Sequence, residues 1–260
     1  MHLFLDFDTW VHRLHPLVRV LGMLVVFLAA YLVERPVWQV PLLVPLVLLV
    51  LSTGAWRNVV RLRLLFVLVF VMTWLIWTLF YGPDGQPPLL VWGPLHVSRT
   101  APWFGLGMAL KLEIFLLAGT LFLSTTRIED FAFALTRVGV PYALGFTMTL
   151  SFRLVPVLVD AAATVVQAQR SRGLDFQRGS LWQRVRRYVP VMVPVFMGVL
   201  RRADQMAMAL DARGFQRGTA RTALDPHRVR AADIAAVSVL AMIAAAYLWL
   251  AATGALRLIA

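Results

Sequence analysis

The chain has 260 residues, 60% of them hydrophobic and 15% charged, and apolar runs near the ~20 residues that cross a bilayer recur along it, which excludes a soluble globular domain. With no Cys it has neither disulfides nor thiol catalysis. Its net charge of +12 is almost all Arg, with Lys111 the only Lys; in a soluble protein this would suggest nucleic acid, but here it reads as charge that holds loops on the cytoplasmic side and faces the anionic lipid bilayer, with no nucleic acid partner.

Residues 1–16 read as an interfacial lead-in, in which Asp6, Asp8, Trp10, His12, Arg13 and His15 precede any apolar run, so no cleavable signal peptide is expected. His12 and His15 lie three residues apart with no third ligand nearby, and polar interfacial residues suit them better than a metal site. A first span is expected over about 17–33, followed by a turn at Glu34-Arg35-Pro36. The second span, about 37–51, holds Pro41 and Pro45, tolerated where neighbours satisfy the freed carbonyls. Ser52-Thr53-Gly54 ends it, Arg57, Arg61 and Arg63 form a basic loop, and a third span runs over about 64–81 with Trp74 and Trp77 as interface anchors. The Pro- and Gly-rich stretch 82–102 reads as an external loop with a short extended or re-entrant piece. In the fourth span, about 103–123, Lys111 and Glu113 are two residues apart, do not share a helix face, and are expected to pair with different neighbouring helices. Ser124-Thr125-Thr126 then leads into a helix start with Glu129 and Asp130 in its first turn.

Most of the Arg lies in residues 127–230, where the helices read as long and amphipathic, with Pro190 and Pro194 expected to kink one of them. A last span is expected over about 231–250. The chain thus divides into an N-terminal transmembrane domain, 1–126, a cytoplasmic helical domain, 127–230, and a C-terminal transmembrane helix, 231–260. About five spans place Arg13, Arg19, Arg57, Arg61, Arg63 and the 127–230 region on the cytoplasmic side, with Glu34 and the Gly82 loop outside, where positive charge is sparse; Arg257 alone dissents.

The most informative stretch contains one pattern twice. Val155-Pro156-Val157, an Ala/Val-rich run, Ser171-Arg172-Gly173 and Phe176-Gln177-Arg178-Gly179 are answered by Val193-Pro194-Val195, a Met/Ala-rich run, Ala212-Arg213-Gly214 and Phe215-Gln216-Arg217-Gly218. Each copy is helix-length and ends in small-Arg-Gly. Gly is favoured just past a helix end, and Arg faces the negative end of the helix dipole there. Taken singly, either copy is an ordinary capped helix with a solvated Arg; the doubled context makes them two similar cationic tips for two similar receptors.

At these residues the chain resembles the transmembrane (T) component of energy-coupling factor transporters. That family carries two small-Arg-Gly motifs at the ends of two long cytoplasmic coupling helices, matched here by Ser171-Arg172-Gly173 and Ala212-Arg213-Gly214, with Ser171 where Ala is usual. Asp8-Thr9 with His12-Arg13-Leu14-His15-Pro16, and Ser124-Thr125-Thr126 with a short helix ending near Gly139-Val140-Pro141, are further matches, and the likeness covers Asp8 to about Leu224. The resemblance implies an all-α polytopic membrane protein in a bacterial cytoplasmic membrane. It implies that Arg172 and Arg213 anchor two ATP-binding cassette subunits, one each, and that Gly173, Gly214, Ser171 and Ala212 allow close approach. It further implies that ATP-driven motion passes to a separate small substrate-capture membrane protein (S component) that takes up a vitamin or a metal ion.

No catalytic constellation stands beside this. There is no Gly-rich Lys loop for ATP, no HExxH, no GxSxG and no acidic metal cluster, so the chain is expected to be no enzyme and to hold no cofactor, ATP being bound by its partners. Asp204 and Asp211, two turns apart on one face, suit pairing with Arg. Three other readings remain open: the permease of an ordinary ABC importer, which uses one coupling loop; a membrane enzyme acting on lipid, which needs clustered polar residues at membrane depth; and a scaffold without transport.

Overall fold

The computed structural model describes residues 9–81, 88–92, 95–175, 180–215 and 230–253. Residues 82–87 of the expected loop, Phe176-Gln177-Arg178-Gly179, Gln216-Arg217-Gly218 and Arg257 lie outside the described residues. Among the described residues the chain forms α1 Pro16–Leu32, α2 Pro36–Ser52, α3 Trp56–Arg61, α4 Arg63–Phe80, β1 Pro88–Trp92, β2 Leu95–Ser98, α5 Ala101–Thr125, α6 Ile128–Arg137, α7 Tyr142–Ser171, α8 Leu181–Arg187, α9 Val189–Ala212 and α10 Ala231–Ala252. This is an all-α polytopic membrane protein, with one antiparallel hairpin of β1 on β2 inside the expected loop. By length and composition α4, α5, α7 and α10 are long and apolar enough to cross a membrane; α1 and α2 are apolar but 17 residues each.

The helices form two compact units, one of residues 1–137 with 227–260 and one of residues 138–226. Both α6 and α10 fall in the first unit. In the first unit α1, α2, α5 and α10 share a core of Ala29, Ala30, Val33, Leu42, Leu46, Ile114, Ala118 and Tyr247. Small residues let backbones approach, which is how membrane helices associate where lipid is as apolar as Leu. Gly107 of α5 sits against the Glu34 carbonyl at the α1–α2 turn, and Gly105 against Trp74 and Thr78 of α4. Buried polar side chains then pin the contacts. Gln39, fully buried, donates to the carbonyls of Gly107 (2.9 Å) and Val33 (3.3 Å), and the Tyr247 hydroxyl donates to the Trp38 carbonyl at 2.9 Å.

Four local expectations need correction. The basic loop after α2 is the short helix α3. Gly54 ends α2 at φ +75°, and the buried Asn58 amide donates to Ser124 at 2.8 Å, which holds α3 on the end of α5. Ser124 and Thr125 are the last residues of α5 rather than a link after it, their hydroxyls donating to the carbonyls of Thr120 and Leu121 one turn back, and α6 then starts with Glu129 and Asp130 in its first turn as expected. Pro190 lies in the first turn of α9, where a missing N–H costs nothing, so only Pro194 is interior, as Pro156 is in α7. Lys111 does reach a neighbouring helix, donating to the Tyr31 carbonyl at 3.1 Å, but Glu113 Oε1 is buried without a hydrogen-bond partner among the described residues.

The second unit consists of α7, α8 and α9. Two contacts set its direction. Phe215, just past α9, packs on Phe146 near the start of α7 with ring centroids 4.7 Å apart. Arg187, just before α9, donates to the Asp175 carbonyl just past α7 at 2.6 Å. α7 and α9 therefore run antiparallel.

Candidate functional site

The two small-Arg-Gly segments have the same backbone structure. At the end of α7 the Arg172 N–H donates to the carbonyls of Ala168 and Gln169, both at 3.2 Å; Gly173 N–H donates to Arg170 at 2.9 Å, and Leu174 N–H to Gln169 at 3.0 Å. At the end of α9 the Arg213 N–H donates to Ala209 and Leu210 at 3.2 and 3.1 Å, Gly214 N–H to Asp211 at 2.9 Å, and Phe215 N–H to Leu210 at 3.0 Å. Both are Schellman motifs, with the left-handed residue just past the helix supplied by Gly173 at φ +88° and Gly214 at φ +70°. The residue after each Gly is apolar and half-buried: Leu174 at one end, Phe215 at the other. An apolar residue there commonly packs back on the helix and fixes the direction in which the chain leaves.

The two Arg therefore occupy equivalent places, as the last residue before the reversal. Arg172 and Arg213 are exposed, and neither guanidinium has a partner among the described residues. Each stands at the negative end of its own helix dipole, and each offers five N–H donors in a planar fork that matches a carboxylate. Ser171 and Ala212, both exposed, add little bulk, and the Ser171 hydroxyl is turned back to the Gln167 carbonyl at 3.2 Å. Apart from the adjacent residues, no atom of the described residues lies within 4 Å of where a Cβ would stand on Gly173 or Gly214.

Because α7 and α9 are antiparallel, the structure does not bring the two triplets together. Arg213 lies beside the start of α7 and Arg172 at its end, separated by about 26 residues of helix, which is on the order of 35–40 Å. Two receptors with the same chemistry fit that arrangement better than one receptor gripping both tips.

Other candidates from the sequence resolve simply. The Thr9 hydroxyl and His12 Nδ1 are 2.6 Å apart, and His15 Nδ1 accepts the Leu17 N–H at 3.2 Å in capping α1. No group of three potential metal ligands exists among the described residues. Asp204 and Asp211 make no ion pair among the described residues, which leaves Arg of a partner as the expected pairing.

Sequence reasoning missed a polar cluster in the first unit. Asp233, 2% exposed, accepts the His15 N–H and the Arg230 N–H, each at 2.7 Å, and so joins the start of α10 to the start of α1. Arg19 donates to Asp130 at 3.2 Å and to the carbonyls of Thr125 (2.5 Å) and Leu14 (3.2 Å), joining α1 to α6 and the end of α5. The available signal was charge inside an apolar run: Arg19 and Asp233 each interrupt an otherwise apolar span.

The family described as cobalt transport protein, CbiQ, matches residues 7–224. Among curated proteins, the energy-coupling factor transporter transmembrane protein EcfT of Clostridium kluyveri is 31% identical over 226 residues, 83% of each chain. That of Thermosediminibacter oceani is 37% identical over 153 residues, 55% of this chain and 57% of the relative. A putative ABC transporter ATP-binding protein of Bifidobacterium longum is 30% identical over 246 residues, 90% of this chain and 31% of that longer protein. With the fold and both arginine-tipped helix ends in place, the chain belongs to the CbiQ family as a transmembrane component of an energy-coupling factor transporter.

Proposed function

We propose that this chain couples two ABC ATPase subunits to a separate small membrane capture protein, the S component, for uptake of a vitamin or transition-metal ion across a bacterial cytoplasmic membrane. Arg172 and Arg213 each dock in an acidic groove of one ATPase, with both tips on the cytoplasmic side; α7, although long and apolar enough to cross a membrane, then serves as a coupling helix whose apolar face meets the membrane partner. ATP binding and hydrolysis occur on those subunits, which move the tips together and apart; α7 and α9 carry that displacement to the capture protein. The observation that carries this reading is the pair of matched helix ends, with the same hydrogen bonds, the same left-handed Gly and an exposed Arg at the same position. The longer Bifidobacterium longum relative supports it, since a segment like this chain occurs there within a protein named as ATP-binding. Exposed apolar residues on the same two helices, Phe152, Val155 and Val159 on α7 with Val193, Phe196 and Leu200 on α9, supply surface for a membrane partner.

The test is an affinity pull-down of the tagged chain from its native membrane, wild type against Arg172→Glu with Arg213→Glu. Charge reversal at two exposed helix ends leaves the helices intact, which circular dichroism checks. Wild type is expected to bring down two ATPase copies and a small hydrophobic protein, and the double variant to lose the ATPases at least tenfold, as expected for loss of a charge-assisted contact at each tip. Full ATPase recovery with the double variant would overturn the docking role of the two Arg.

A further inference from the structure

In the first unit, the starts of α1 and α10 and the end of α6 enclose a cleft of about 510 Å³, a volume in the range of small-ligand sites. Its walls are apolar: Val18 and Leu21 from α1, with Ile234, Val237 and Ala241 from α10. From Asp233 to Ala241 the cleft follows α10 for about 12 Å, comparable to the hydrocarbon depth of one leaflet.

The polar groups of the lining are nearly all engaged inward. Both Asp233 carboxylate oxygens accept backbone N–H groups. His15 caps α1 through Nδ1, and the Ser238 hydroxyl donates to the Ile234 carbonyl at 2.7 Å. Arg137 differs. It is exposed at the end of α6, its guanidinium lies 5.3 Å from the Phe133 ring centre, and no carboxylate pairs with it among the described residues. An arginine at the rim of an apolar cleft between two apolar helices, the only one in the described lining, is complementary to an amphiphile with an anionic head. Basic pockets between membrane helices take anionic lipid headgroups for this reason.

We propose that the cleft holds an anionic phospholipid from the leaflet in which α1 and α10 begin. One acyl chain lies along Leu21, Val237 and Ala241, and the phosphate sits on Arg137. The site needs neither ATPase nor capture protein, so it stands apart from the coupling role proposed above.

The test uses the full chain purified in detergent, with native mass spectrometry counting bound lipid after equal additions of phosphatidylglycerol or phosphatidylcholine. Wild type is expected to hold one phosphatidylglycerol about fivefold more often than one phosphatidylcholine, the discrimination expected of a single cation at a membrane surface. Arg137→Gln, at an exposed position, should bring the ratio to about one, and Val237→Trp should fill the cleft and lower retention of both lipids. Arg186→Gln on α8, outside the cleft, should leave wild-type behaviour. Equal retention of the two lipids by wild type, or an unchanged ratio in Arg137→Gln, would overturn the proposal. So would displacement of the phosphatidylglycerol by millimolar inorganic phosphate, which marks a soluble-anion site, or a dimer mass replacing the lipid adduct, which marks a second copy as the occupant.

Discussion

Three glycines at contacts or helix ends illustrate that one substitution acts through different physics. At Gly173 and Gly214 the backbone is left-handed, so an added methyl, which meets no neighbour among the described residues, strains the chain. Gly173→Ala is therefore expected to cost about 1 kcal/mol and to fray the last turn of α7, while Gly173→Asn, which tolerates the left-handed region, recovers much of the loss. At Gly107 the dihedrals are helical, but a Cβ would overlap the Glu34 carbonyl, a rigid backbone atom. Gly107→Ala must push α5 away from the α1–α2 turn and break the Gln39 hydrogen bond to the Gly107 carbonyl, at a cost of about 3 kcal/mol. Thermal unfolding in detergent reads both; equal melting temperatures for Gly107→Ala and Gly173→Ala would contradict this ordering. The arginines obey the same separation of causes. Arg172 and Arg213 are exposed and have no partner among the described residues, so their loss should spare the fold, whereas Arg19, with three partners, is structural.

Among the elements, the five expected spans match α1, α2, α4, α5 and α10 to within about two residues because each is a long apolar run bounded by Pro, Gly or Arg, whereas α7, read as a cytoplasmic amphipathic helix, proves long and apolar enough to cross a membrane. Pro36 and Gly54 bracket α2, and Gly139 stands between α6 and α7. The likeness of the two helix ends was legible as repeated small-Arg-Gly. Its equivalence continues through Leu174 and Phe215, however, whereas the repeated pattern aligned Phe176 with Phe215; the apolar residue after the Gly is set by backbone geometry, not by residue type. Polar pairings between helices distant in sequence were not legible, since period and composition carry no information on which helix lies next to which. Asp233 is the clearest case, because its partner His15 is 218 residues away. Two charge-assisted bonds at a buried carboxylate predict that Asp233→Ala costs about 3 kcal/mol, with Asp233→Asn losing about half as much by keeping one acceptor. Hydrogen exchange at the amides of His15 and Arg230 is the direct measurement: both should exchange faster in Asp233→Ala. Unchanged protection at the two sites would show that α10 is held to α1 by apolar packing alone.

For the molecule as a machine, the decisive quantity is the separation of the two arginine tips. A +12 charge and five expected spans made a membrane protein with a basic region legible, but not the direction of α9 against α7. Had the two long helices run parallel, the tips would lie side by side, roughly 10 Å apart at helix-packing distance, and a single partner could bind both. The Phe215–Phe146 and Arg187–Asp175 contacts make them antiparallel, which places the tips on the order of 35–40 Å apart. The chain has no native Cys, so Arg172→Cys with Arg213→Cys gives a protein that takes two spin labels and no others. Pulsed electron resonance on the doubly labelled chain should return one distance distribution centred at about 35–40 Å, broadened by the label arms. A main distance below about 20 Å would refute the antiparallel pair and with it the one-tip-per-ATPase reading. Pro156 and Pro194 each remove one hydrogen bond from the helix that carries a tip, and so mark where that helix bends most easily. Repeating the measurement after Pro156→Ala and Pro194→Ala tests whether compliance resides there: the mean distance should stay within a few ångströms and the distribution should narrow. A distribution as broad as the wild type's would place the flexibility in the caps rather than in the helices.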